Sequence, residues 1–336
     1  VYDAFLLLSF GGPEGPDDVM PFLENVTRGR NVPPERLAEV AGHYRHFGGV
    51  SPINGHNRAL LDALRAEFAR AGIGLPLYWG NRNWHPMLVD TLREMRDAGV
   101  RRAIAFVTSG FGSYSACRQY LDDIVKACIE VGPEAPVVDK IRHYHDHPGY
   151  VHPLADGVRA ALATLPAGGD IRLVFTAHSV PLAMEASAGP EGHRYTTQLA
   201  ETARLVAERA APHIAYDLVW QSRSGPPQAP WLEPDVNDHL ERLAGEGVTA
   251  VVVSPIGFSS DHLEVVWDLD NEAAGTAKRF GMAFARSATP GLDPRFVAMV
   301  RELVTERLEP AAPRRRLGTV PVWDECLIGC CQARPG

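Results

Sequence analysis

The chain has 336 residues, enough for two domains at roughly 150 residues each. With 45% hydrophobic and 22% charged residues it can bury a large core, and a net charge of −8 excludes a chain-wide basic footprint for nucleic acid. No apolar run approaches the roughly 18 residues of a membrane span, and five cysteines in so long a chain fit reduced or metal-bound thiols, so a cytoplasmic protein is expected.

The first ten residues are apolar but lack a basic flank and a small-residue cleavage site, so they read as a buried strand and not a signal peptide. In chain order, strands are expected at Asp3–Phe10, Leu75–Trp79, Arg102–Thr108, Val137–His143, Arg172–Ala177, Asp217–Gln221, Thr249–Ser254 and Met282–Arg286. These runs show little polar alternation, the pattern of parallel strands covered on both faces. Helices are expected between them at Asn57–Ala71, Pro86–Ala98, Tyr114–Val131, Tyr150–Leu165, His193–Ala211, Val236–Gly245 and Asp261–Phe280, with a last one at Pro294–Leu308. Alternation of this kind builds right-handed βαβ units. The stretches Ala4–Pro13 and Leu173–Pro181 echo each other, each a strand running into a turn that ends in proline. Two similar α/β halves facing each other across a cleft are expected, with ligands beyond the carboxyl ends of the strands.

Few motifs carry chemistry. Gly11-Gly12-Pro13-Glu14-Gly15 is not a dinucleotide fingerprint, and Pro13 removes an amide from any phosphate nest, so the glycines read as a turn or a close approach to a flat ligand. His178 follows a strand directly, where it could ligate a metal or accept a proton, or simply cap the sheet. On a regular helix, Asp261, Glu264, Asp268 and Glu272 fall at i, i+3, i+7 and i+11 along one face. That stripe is either a solvated acidic surface or a ladder of hard oxygen ligands for a divalent cation. Three of the five cysteines, Cys326, Cys330 and Cys331, crowd the tail. A fourth ligand would come from Cys117 or Cys128, which a helix would hold about 16 Å apart, so not from both. The spacing alone allows Zn²⁺ or an iron–sulfur centre.

The strings TAHSVP (Thr176–Pro181), YDLVWQSRSGPPQAPWLEP (Tyr216–Pro234), SPIGFSSDHLEVVWDLDNE (Ser254–Glu272) and HYRHFGGVSPIN (His43–Asn54), with LLLSFGGPEGPDDVMPFLENVTRGR near the start, resemble ferrochelatases in order over nearly the whole chain. The resemblance implies an α/β fold of two Rossmann-like domains, each a four-stranded parallel sheet flanked by helices. We set these at 1–113 and 114–293, with 294–310 packing back on the first and 311–336 a linker and cysteine-bearing tail. It implies insertion of Fe²⁺ into a porphyrin, with His178 and Glu264 as proton acceptor and metal ligand, Asp268 and Glu272 as a second cation position, and Asp261 supporting the His178 region or adding to the field. Tyr44 and Ser51 match positions that hold porphyrin propionates, and Arg28 and Arg30 lie where a basic contact would serve. Phe10 stands where relatives often have a tyrosine, so an axial oxygen ligand is not expected from it. The family also implies a [2Fe–2S] cluster on Cys117, Cys326, Cys330 and Cys331, with Cys128 a bystander.

The lip, residues 26–52, carries Arg28, Arg30, Glu35, Arg36, Glu39, Arg45 and His46, and no apolar extension follows at the end of the sequence. A polar mouth suits a tetracarboxylate, so coproporphyrin III is expected in preference to protoporphyrin, with a monomer that does not associate stably with membrane. A non-catalytic tetrapyrrole or metal carrier, and a chelatase for another metal, are the rival readings. The tail offers only Leu317, Val320, Val322, Trp323, Leu327 and Ile328 as apolar anchors.

Overall fold

The computed structural model describes residues 1–30, 32–327 and 329–332. It contains two four-stranded parallel sheets. The first is built from β1 (Ala4–Ser9), β2 (Leu77–Asn81), β3 (Arg102–Val107) and β4 (Val137–Lys140) in the order β2-β1-β3-β4. The second is built from β5 (Ile171–His178), β6 (Tyr216–Gln221), β7 (Ala250–Ser254) and β8 (Ala283–Arg286) in the matching order β6-β5-β7-β8. All eight strands lie within a few residues of expectation. The echo between residues 4–13 and 173–181 is topological: β1 and β5 hold the same place in the two sheets.

Every residue of β1 is buried, and its side chains divide by alternation. Phe5 and Leu7 face the larger core, while Ala4, Leu6 and Leu8 face a separate layer with Leu92 and Ile124. β7 repeats the division, with Val252 inward and Val251 and Val253 outward. The larger core includes Phe5, Ile104 and Phe106 from the first sheet and Leu173, Phe175 and Val252 from the second, bridged by Tyr150, Leu154 and Phe296. Neither sheet has that core to itself.

The boundary expected at residue 113 is displaced. Helix Gln119–Val131 packs Tyr120, Ile124 and Ala127 on the first sheet, and β4 belongs to that sheet, so the first half runs past residue 140. Helix Pro294–Leu308 does pack back, setting Phe296 edge-on to Phe106 at 6.1 Å between ring centroids. Its Glu306 forms a two-pronged ion pair with Arg142 at 2.7 and 2.8 Å, with both side chains almost fully buried.

Two helices, Val19–Val26 leading into the lip and Pro34–His46 within it, were not expected. With Leu263 they close a small apolar cluster of Phe22, Leu23, Ala41 and Tyr44. Val50 is the exposed large apolar residue of the segment 26–52, among the described residues. Also among them, no helix is long and apolar enough to cross a membrane.

The tail docks through polar contacts instead of its apolar residues. Leu317 and Leu327 are exposed, and Ile328 lies outside the described residues. Arg316 pairs with buried Asp146 at 2.7 Å, and the Leu317 N–H donates to the Asp146 carbonyl at 2.9 Å. Gly318 lies so close to the Glu201 carboxylate that a β-carbon would overlap it. Burial alone would raise the Glu201 pKa, but the His145 ring at 3.0 Å and the N–H groups of Thr319 and Val320 bring it down to about 2. Arg194 then lies over the Trp323 ring, 4.6 Å from its centroid.

Candidate active site

In each sheet the strand order reverses between the first and third strands, which opens a crevice beyond their carboxyl ends. In the second sheet those strands are β5, which ends in His178, and β7, whose following loop leads to Glu264. His178 Nδ1 lies 2.5 Å from the Ser179 carbonyl oxygen, which can only accept, so Nδ1 carries the proton. Nε2 therefore presents a lone pair, 3.6 Å from Glu264 Oε2. Two acceptors facing each other are a site for a cation, either a proton or a metal ion. The side chains are 36% and 44% exposed, so the pair is open to a ligand. Tyr195 Oη donates to the His178 carbonyl at 2.9 Å and braces the strand end.

The acidic stripe differs from its expected form. A regular helix starts at Leu263, not Asp261, and after one short turn becomes a π-helix over Val266–Ala273. A spacing of four overshoots the 3.6-residue α turn, and the wider turn with i→i+5 bonds takes up the excess. Glu264, Asp268 and Glu272 therefore stay near one another, and Asp268 feels the charge of both. Burial first, then those two carboxylates, push the Asp268 pKa up to about 7. Hydrogen bonds oppose the rise: Ser222 Oγ donates to Oδ2, and Gln221 Nε2 lies 3.4 Å from it. Ser222 sits at φ +61°, an uncommon angle for a residue with a β-carbon. Asp261 leaves the stripe: Arg286 holds it with two bonds of 2.9 and 3.1 Å, so it does not support His178.

At the outer end, Glu272 accepts from Trp267 Nε1 at 2.9 Å. The Trp267 ring stacks on His43 at 4.0 Å between centroids and 8° between planes, with His46 edge-on at 5.5 Å. The lip helix thus closes over the carboxylate ladder. Burial lowers the His43 pKa, and Glu272 opposes the change. His262, half-buried beside Glu264, is likewise lowered by burial.

The facing wall comes from the first half. Phe10, just past β1, meets Phe22 edge-on at 6.1 Å, and Phe22 meets Tyr44 at 5.7 Å. Tyr44 is buried, and its phenol is held un-ionised by burial and by the charges of Glu264 and Asp268. Gly11 takes φ +83°, as a turn requires. A β-carbon on Gly12 would lie 2.7 Å from Ser51 Cβ, so the close approach serves buried Ser51, not an open platform for a flat ligand. Arg28 and Arg30 are exposed at the rim and do not join this wall; Arg28 donates to Asn25 Oδ1 at 2.7 Å. Arg82 was not anticipated: its guanidinium lies 5.8 Å from the Phe10 ring centroid and pairs with Asp123 at 2.5 Å.

Residues 2–308 match the ferrochelatase family. The chain belongs to that family. Its sequence is 59% identical over 346 residues to the coproporphyrin III ferrochelatase of Nocardia farcinica (strain IFM 10152), covering 99% of this chain and 98% of the relative. It is 54% identical over 354 residues to the coproporphyrin III ferrochelatase of Streptomyces griseus subsp. griseus, covering 99% and 94%. Among solved structures, SirB from Bacillus subtilis with Fe³⁺ shares the fold at a TM-score of 0.54 and 12% identity, covering 92% of this chain and 98% of SirB.

This ferrochelatase chain continues past the matched region into the cysteine tail. Cys117 sits in a second π-helix, Tyr114–Arg118, just past β3, and is buried. Cys330 Sγ and Cys331 Sγ lie 3.6 Å apart. The Gly189 N–H donates to Cys331 Sγ at 3.0 Å. Cys326 and Cys331 both feel the charge of Cys117, which brings the tail thiols into its neighbourhood. Cys128 stands apart, its thiol directed to the Pro136 carbonyl at 3.6 Å.

Proposed function

We propose that this chain inserts ferrous iron into coproporphyrin III, with release of two pyrrole protons, and forms coproheme. The observation that carries the reading is the cation-shaped gap between His178 Nε2 and Glu264, set at the strand-order reversal of the second sheet and faced by an apolar wall. Similarity to coproporphyrin III ferrochelatases over nearly the full length supports the choice of ring.

In this reading His178 accepts a pyrrole proton at Nε2, and Glu264 replaces water on the incoming iron. Asp268 and Glu272 hold the cation on its way, Asp268 able to bind or shed a proton near neutrality. Phe10 packs against the ring and supplies no axial oxygen. Arg28 and Arg30 meet ring carboxylates from solvent, and Tyr44 and Ser51 hold them from the wall. A porphyrin with four carboxylates uses such a polar rim better than one with two. The test is a competition at equal concentrations of the two porphyrins with Fe²⁺. A higher kcat/KM for coproporphyrin III is expected; an equal or higher value for protoporphyrin overturns the ring assignment, and no turnover with either leaves the carrier reading.

The same chain fits a [2Fe–2S] centre on Cys117, Cys326, Cys330 and Cys331. Cys330 and Cys331 form one close pair, which suits one iron with two thiolates, and Cys117 and Cys326, whose charges act on each other, would supply the second. A single tetrahedral zinc needs all four sulfurs within roughly 4 Å of one another. Among the described residues, no three sulfurs come within 4.8 Å of one another. The centre would supply a one-electron couple or a crosslink between tail and body, away from the His178–Glu264 gap.

A further inference from the structure

The outer end of the carboxylate ladder is held by a side chain that takes no part in proton transfer. Glu272 is exposed, and a glutamate in solvent keeps several rotatable bonds unfixed. Here its Oε1 accepts from Trp267 Nε1 at 2.9 Å, a bond between residues five apart. Neighbours on an α-helix are three and four apart, and the wider turn of the π-helix Val266–Ala273 brings the fifth alongside. The bond takes one carboxylate oxygen and leaves Oε2 to meet a cation. The indole is itself fixed from the opposite half. His43 stacks on it at 4.0 Å, and His46 and Phe47 meet it edge-on at 5.5 and 6.1 Å between centroids. All three come from helix Pro34–His46 and the residue that caps it. The π-helix and the lip thus share one ring, and the one polar atom of that ring binds Glu272.

We propose that Trp267 is a positioning residue for iron capture: gripped by the lip, it holds Glu272 ready for the incoming cation. The inference rests on the reading of Asp268 and Glu272 as the cation's way in. A carboxylate fixed in advance loses less freedom when a cation arrives, so it binds the cation more tightly. That gain is present before the chemical step and persists through it, so it belongs to the KM for Fe²⁺ and not to kcat. A packing role alone would lower stability or disturb the porphyrin without singling out the metal.

The test is anaerobic steady-state turnover with Fe²⁺ and coproporphyrin III varied in turn. Trp267→Phe keeps a ring for His43 and loses the donor. It should raise the KM for Fe²⁺ about fivefold, with kcat and the KM for coproporphyrin III near wild type. His43→Ala keeps the donor and loses the stack, and should raise the same KM by less, about twofold. His43→Phe, which restores a stacking ring, should bring it back. A wild-type KM for Fe²⁺ in Trp267→Phe, or an equal rise in the KM for coproporphyrin III, overturns the inference. If Trp267→Phe fails to fold, His43→Ala decides the matter by the same two readings. Glu272→Gln separates the inference from the reading beneath it. A raised KM for Fe²⁺ in that variant, with none in Trp267→Phe, overturns this inference alone. A wild-type KM for Fe²⁺ in Glu272→Gln overturns the cation path, and this inference with it. No turnover in the wild-type protein overturns the proposed function and everything built on it.

Discussion

The two halves share a strand order and differ in what they place at its reversal. Beyond β1 and β3, the first half sets Gly11, Phe10 and the cysteine-bearing turn Tyr114–Arg118. Beyond β5 and β7, the second half sets His178 and the carboxylate-bearing segment Val266–Ala273. Both halves follow their third strand with a π-helix, one holding a thiol and the other carboxylates. Such wide turns recur at functional sites because they re-aim side chains without ending the helix. The fold thus supplies equivalent addresses, and side-chain chemistry decides which becomes an apolar wall and which gathers a histidine with carboxylates.

The contrast is broken most directly in the second half. His178→Ala and Glu264→Gln should each lower iron insertion by roughly 10²–10⁴-fold with unchanged circular dichroism. Phe10→Leu, at the equivalent address of the first half, should lower it by less than tenfold, about 1.4 kcal/mol. Near-normal turnover in either second-half variant would erase the distinction.

Where the halves join is sharpened by Arg142→Met. It leaves Glu306 buried without its partner and should cost about 3–5 kcal/mol, read as a lower denaturant midpoint. A loss near zero would show that helix Pro294–Leu308 is not held there.

A subtler effect separates the two π-helices by pH. Between 3.8 and about 7, folded Asp268 keeps a proton that the unfolded chain has released. Stability therefore falls as pH rises through that window, by up to about 1.4 kcal/mol per pH unit. Asp268→Asn should flatten this slope in a series of Tm measurements. An unchanged slope would show that Asp268 titrates normally. Smallest of all is the effect of Cys128→Ser, which should leave any visible cluster bands intact where Cys117→Ser removes them.

The eight strands were legible because strands covered on both faces leave unbroken apolar runs. Helices Val19–Val26 and Pro34–His46 were not, since the first is short and both begin among prolines and charged residues. The π-helices escaped for another reason: a spacing argument that assumes 3.6 residues per turn puts Asp261 on the stripe, whereas Arg286 draws it away from another strand end. His178, Glu264, Asp268 and Glu272 were found from the strings around them, and the structure gathers them. Ser222, His43 and Arg82 were missed because their partners lie 46, 224 and 72 residues away in sequence, and no local pattern marks a long-range contact.

Gly318 has a consequence for the tail cysteines. The tail is seated on Glu201 and Asp146 by groups that need no metal. Its three thiols are thereby offered to Cys117 at the high local concentration of a docked peptide, not of a free arm. Any metal that the four cysteines took would meet a chelate already gathered, and the strength of its capture would depend on a glycine that never touches it.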